Sequence, residues 1–156
     1  MINNTVKQLW HKYLTSINET EETTKKSYVS WCFGGNEEDS DKLAELVYTN
    51  KKTATTSLYC LYTIDNAPLP KEGDLSIITT FKGFAVCIIE TTKVKILPFS
   101  HVDEEFAFKE GEGDKSLADW RKIHEQFFIK ELKSINKQFS PGMLVVCEEF
   151  RVIYSY

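Results

Sequence analysis

The chain has 156 residues, 42% of them hydrophobic and 27% charged, with a formal net charge of −4. That is long enough for one domain with a sizeable core, in the range of ordinary globular proteins. No region is strongly basic, which argues against binding a long duplex through its phosphates, and no apolar run approaches the roughly 20 residues of a membrane helix.

The first residues, Met1-Ile2-Asn3-Asn4-Thr5-Val6-Lys7, lack the apolar core of a signal peptide. A cytoplasmic protein without a membrane partner is expected. Cys32, Cys60, Cys87 and Cys147 stand far apart among apolar or aromatic neighbours. They read as buried reduced thiols rather than a disulfide framework or a zinc site. The acidic excess is concentrated between residues 99 and 119, where seven carboxylates face Lys109 and Lys115.

In chain order, Asn3 or Asn4 is placed to cap a first helix. Val6, Leu9, Trp10, Tyr13, Leu14 and Ile17 recur at spacings of three and four as its apolar stripe. Residues 18–26 read as a polar linker, so residues 1–26 form a helix and linker packed on a single domain. Tyr28, Val29, Trp31 and Phe33 read as a short strand, broken at Gly34-Gly35. Asp39, Ser40 and Asp41 suit the start of a second helix, with Leu43, Leu46 and Val47 buried and an end near Asn50.

A Thr-rich strand is expected over residues 53–62. Alternation places Thr53, Thr55 and Ser57 on one face and Ala54, Thr56 and Leu58 on the other. Pro68, Pro70 and Gly73 punctuate a turn, and residues 75–80 and 83–92 read as two strands, the second extending toward Pro98. Residues 101–109 have helical spacing. Ser116-Leu117-Ala118-Asp119 resembles a capping box and opens a long helix to about Asn136. Residues 143–154 form the last strand. Five or six strands with helices mostly at the ends give an α+β fold around a small, mainly antiparallel barrel.

Three stretches carry candidate chemistry. Lys51 and Lys52 precede hydroxyls at Thr53, Thr55, Thr56 and Ser57, placing cations beside nucleophiles or hydrogen-bond partners. Glu110-Gly111-Glu112-Gly113-Asp114 alternates carboxylates with glycines, a pattern that can aim several acids at one point. Its spacing is not that of a calcium loop, and no metal or other cofactor is expected. Arg121 and His124 lie one helical turn apart, after Trp120, where they could hold an anion. Glu148 shares strand parity with apolar residues and calls for a partner such as Arg151 or a lysine.

Taken together these stretches resemble the ASCH (ASC-1 homology) domain family, whose fold is PUA-like. The resemblance runs through Phe33-Gly34, the helix over 42–49, Lys52-Thr53-Ala54-Thr55, residues 70–74, Pro98-Phe99, Phe106-Ala107, residues 110–114, Trp120-Arg121-x-x-His124 and Glu148-x-Phe150. The family's Gly-x-Lys-x-x-Thr signature falls on residues 50–55. Asn50 stands where the family has Gly, and Asn tolerates the left-handed conformation, so the turn is expected to survive.

The resemblance implies a cleft beside this signature for RNA or a nucleoside- or nucleotide-like ligand. One bacterial branch hydrolyses the amide of N4-acetylcytidine, and other members are ribonucleases. Carried over, the amidohydrolase set falls on Lys52, Thr55 and Glu112, with Glu110 as the alternative acid. Thr55 would attack the acyl carbonyl, with Lys52 as base or, if charged, as stabiliser of the oxyanion. Lys51, Thr53, Glu110, Asp114, Trp120, Arg121 and His124 would contact the ligand. The rival readings are an RNA-binding module, with Lys52 and Arg121 on a phosphate and Trp31, Tyr59 or Trp120 stacking a base, and a ribonuclease with His124 as acid or base. The acidic balance ranks a small nucleoside-like ligand above long RNA.

Overall fold

A computed structural model describes residues 4–156. Five helices, α1 (Asn4–Ser16), α2 (Glu37–Tyr48), α3 (Tyr59–Ile64), α4 (Glu104–Glu110) and α5 (Leu117–Lys133), accompany five strands. The strands are β1 (Val29–Trp31), β2 (Ala54–Leu58), β3 (Leu75–Thr79), β4 (Ala85–Pro98) and β5 (Leu144–Ser155), and a 3-10 turn, Phe99–His101, follows β4. They form one sheet in the order β1-β3-β4-β5-β2. β1 pairs with β3 in parallel, whereas β3 with β4 and β2 with β5 are antiparallel. The α+β class and the mainly antiparallel sheet are as the sequence predicts. Among the described residues the sheet keeps two edges, β1 and β2, where a closed barrel would have none.

The chain divides into two compact units, each with its own core. Of the described residues, the first comprises 4–51, 72–92 and 150–156. Here the predicted stripe of α1 (Val6, Leu9, Trp10, Tyr13 and Leu14) packs on Ile77 of β3 and Ile88 of β4. Asn4 opens α1, and Asn3, the alternative cap, lies outside the described residues. A second cluster joins Ala44 and Val47 of α2 to Phe33, Ile78, Cys87, Ile89 and Phe150. Burying each large apolar side chain contributes about 1.5–3 kcal/mol.

The helix α2 is capped by the Asn36 side chain, which accepts from the Asp39 N–H, one turn before the expected acidic start. Its C-terminus is closed by two backbone bonds, Asn50 N–H to Val47 O and Lys51 N–H to Leu46 O, both 2.9 Å. This is a Schellman closure, which requires a left-handed residue after the helix. Asn50 supplies it with φ of 58°.

The second unit comprises residues 52–71 and 93–149. Phe99, Trp120, Phe128, Leu132, Val145 and Cys147 lie at its core, with Leu58 from β2 and Ala107 from α4. The long strand expected over 53–62 stops at Leu58, and the chain turns into the short helix α3. The burial of residues 51–58 alternates throughout, with Lys52, Ala54, Thr56 and Leu58 inside.

Candidate active site

Three elements of the second unit bring charged side chains to one place. β2 is preceded by Lys52, on the inward parity of the strand. Thr53 fixes its position: its N–H and hydroxyl both donate to Lys109 O, at 2.8 and 3.3 Å. The helix α4 ends at Glu110 because Gly111 adopts φ of 70°, a left-handed conformation that suits glycine. Glu112 follows between Gly111 and Gly113, the latter at φ of 57°. The helix α5 starts at Ser116, whose hydroxyl accepts from the Asp119 N–H at 3.1 Å, as the predicted cap requires. Asp119 does not close the reciprocal bond to Ser116 but accepts the Asp114 N–H at 3.0 Å.

Lys52 Nζ donates to Glu110 Oε2 at 2.9 Å, to Glu112 Oε2 at 3.3 Å and to the Glu110 carbonyl at 3.4 Å. The Thr56 hydroxyl donates a short bond to the other Glu110 oxygen, Oε1. From α5, His124 meets Glu110 Oε2 through Nε2 at 3.1 Å and the Trp120 carbonyl through Nδ1 at 2.9 Å. The imidazole stacks on the Trp120 indole, centroids 4.3 Å apart and 19° from parallel. Phe99 also stacks on the same indole, centroids 5.1 Å apart. The side chains of Lys52 and Glu110 are 1% exposed, that of His124 8%, and that of Glu112 16%.

Burial alone would raise both carboxyls and lower Lys52 and His124, since it disfavours charge. For Glu110 the adjacent Lys52 and His124 cations outweigh burial and hold it well below the usual carboxylate range. The carboxylates of Glu110 and Glu112 likewise outweigh burial for Lys52, and Glu110 above all does so for His124, so both are raised. For Glu112 burial is the largest effect and, despite Lys52, its carboxyl is raised; it hydrogen-bonds to Glu110. Of the two carboxyls, Glu112 is therefore the more readily protonated.

Glu110, Glu112 and His124 could each offer one ligand atom, within 4.8 Å of one another, to a cation. The Lys52 ammonium already fills that role between the two carboxylates, so a metal would have to displace a buried, ion-paired lysine.

A family model described as the ASCH domain matches residues 29–154. The chain belongs to the ASCH domain family. It is 34% identical to the ASCH domain of Lactobacillus crispatus JV V101, whose crystal structure superposes with a TM-score of 0.90 over 98% of this chain and 96% of that one. Protein EF3133 of Enterococcus faecalis V583 is also 34% identical, with a TM-score of 0.84 over 96% of this chain and 88% of that chain. A more distant structure, hypothetical protein PH0355, shares 20% identity and a TM-score of 0.51 over 81% of this chain and 97% of that chain, a likeness of fold alone. No curated protein matches the chain.

Within this ASCH domain the candidate residues named from the sequence separate into two groups. Lys52, Glu110, Glu112 and His124 converge. Trp120 is buried against His124 and Phe99 and presents no open ring face to a base. Thr55 lies on the opposite parity of β2 from Lys52 and pairs across the strands with Glu148. Thr53 serves as the strand's tether to α4. Asp114 turns away and accepts the Ser116 N–H at 2.8 Å. Arg121 does not join His124 around an anion; it donates to the Ser100 and Val102 carbonyls at 3.1 and 3.4 Å. Lys51 is exposed at the end of the Schellman closure. Arg151, expected beside Glu148, pairs instead with Glu90 at 2.7 Å.

Thr56, named from the sequence only as one of four hydroxyls following the lysines and given no site role, joins the cluster through Glu110. Its signal was available: the parity that assigns Thr56 to the face of Ala54 and Leu58, extended back two residues, reaches Lys52.

Proposed function

We propose that this ASCH domain binds a nucleoside- or nucleotide-like ligand, or a short RNA, and hydrolyses an amide such as that of N4-acetylcytidine, with Glu112 as the proton carrier. The observation that carries this reading is Glu112 itself. It is the most exposed of the four charged side chains, its carboxyl is raised, and Lys52 Nζ lies 3.3 Å from its oxygen. A carboxyl raised by burial, beside a cation that stabilises the anion left behind, is suited to general acid–base work.

In the reaction so drawn, water adds to the acyl carbon, and Glu112 passes its proton to the departing amine as the C–N bond breaks. The proton released by the attacking water returns to Glu112, so that the acid product and the amine leave and the carboxyl is restored. Lys52 is held charged by two carboxyls and acts as an electrostatic stabiliser rather than as the base. The attack is assigned to water because Thr55 occupies the outward parity of β2, away from Lys52. The ribonuclease reading is less well supported, since it asks His124 to act on substrate and both of its ring nitrogens are engaged within the protein.

The test is hydrolysis of N4-acetylcytidine by the wild type, Lys52→Ala and Glu112→Gln. Glu112→Gln is expected to lower kcat by about 100-fold or more, the usual range for removing a general acid. Turnover retained by Glu112→Gln would defeat the assignment of the proton carrier. A wild type that binds cytidine nucleotides or short RNA without turnover would leave the binding module.

A further inference from the structure

The two ring nitrogens of His124 fix its charge by hydrogen-bond chemistry. Nδ1 faces the Trp120 carbonyl at 2.9 Å, and a carbonyl only accepts, so Nδ1 carries a proton. Nε2 faces Glu110 Oε2 at 3.1 Å and, farther off, Glu112 Oε2 at 3.7 Å. Glu110 accepts from Lys52 and, through its other oxygen, from the Thr56 hydroxyl, so it is the ionised carboxyl of the pair. An unprotonated Nε2 would set a lone pair against a buried carboxylate. Both nitrogens therefore donate, and the ring is an imidazolium.

We propose that His124 is a permanently charged positioning residue, which together with Lys52 pins the negative charge on Glu110 and thereby assigns the mobile proton of the cluster to Glu112. The Trp120 ring supports this state, since an aromatic face stacked at 4.3 Å favours a cation. The charged and titratable groups facing the ring are Glu110 at the end of α4, Glu112 in the following loop and, behind the carboxylates, Lys52 before β2. Glu110 is buried, accepts from Lys52, Thr56 and His124 and acts as a fixed anion. Glu112, at the mouth of the cluster, remains free to exchange its proton with a ligand. His124 thus acts through the carboxylates and does not touch substrate.

The inference rests on Glu112 as proton carrier, but its test requires no substrate. In wild-type protein the ring nitrogens of His124 are observed by 15N NMR between pH 6 and 8, with the exposed His11 and His101 as internal references. His124 is expected to keep the doubly protonated pattern throughout; a neutral Nδ1–H ring at pH 7 would overturn the proposal. The carboxyl carbons of Glu110 and Glu112 are then titrated by 13C NMR in wild type and His124→Gln. In wild type, Glu112 titrates while Glu110 stays ionised. In the variant the two move together and the midpoint rises by about one pH unit or more, as expected on removing a cation within a few ångströms. A folded variant with an unmoved Glu112 midpoint and a silent Glu110 would also overturn it, and if the variant fails to fold the wild-type nitrogen pattern still decides. Absence of amide hydrolysis would defeat the proposed function without altering either spectrum.

Discussion

Lys52 Nζ lies 2.9 Å from the Glu110 carboxylate, and both side chains are 1% exposed. Each buried charge is the other's nearest partner, with Glu112 as a second partner of Lys52 and His124 as a second partner of Glu110. Removing one partner of such a pair usually costs about 3–5 kcal/mol, whereas replacing both with apolar residues is often close to neutral. Glu110→Leu is therefore expected to lower unfolding stability by about 3 kcal/mol or more. The double variant Lys52→Met/Glu110→Leu should recover part of that loss, the remainder reflecting His124, which loses its Glu110 partner in both variants. Urea denaturation of the two single variants and the double variant closes the cycle, and strictly additive losses would contradict the pairing.

The cluster also sets how stability depends on pH. The folded pKa of Glu110 is depressed, so its contribution is present above the ordinary Glu value of about 4.3 and is lost as pH falls through the lower folded value. His124 is raised, giving the opposite sign: its contribution is complete below about pH 6.5 and is lost as pH rises through its folded value. Glu112 is also raised, and its contribution is lost as pH rises from about 4.3 through its folded value. The urea midpoint should decline from the lower pH at which His124 is fully charged in both states to the pH at which only the folded protein retains that proton. The buried thiols of Cys87 and Cys147, each pushed up to about 12 by burial, add a slope of the same sign as pH approaches the unfolded thiol value of about 8.5, so the comparison is made between about pH 6.5 and 7.5. His124→Gln should reduce the slope in that window. A slope equal to that of wild type would assign it to other groups.

Asn50 is the hinge residue of the signature turn. Its φ of 58° lies in the left-handed region, where an ordinary side chain costs roughly 1–2 kcal/mol and glycine little. Asn50→Ala should lower stability by about 1 kcal/mol, and Asn50→Gly should stay within a few tenths of wild type. Thermal unfolding of the two variants measures the difference. An alanine variant as stable as wild type would mean that the turn does not require the left-handed residue.

Much of the local structure was determined by the sequence alone. The stripe of α1, the Ser116 start of α5, the alternation across β2 and the left-handed Asn50 all follow from interactions within a few residues, which periodicity and turn chemistry encode directly. The ordered motifs from Phe33 to Phe150 likewise carried the family. Tertiary structure decided which of these faces meet. Lys52 and Glu110 are 58 residues apart, and neither strand parity nor helix spacing can say that they converge. It separated Glu112 from Asp114, two acids in one alternating loop, by turning the first toward Lys52 and the second toward the start of α5. It chose Thr56 over Thr55 and sent Arg121 to backbone carbonyls while its neighbour His124 turned inward. The protonation of these groups was decided at the same level, because desolvation and the distance to the nearest opposite charge exist only once the chain has folded.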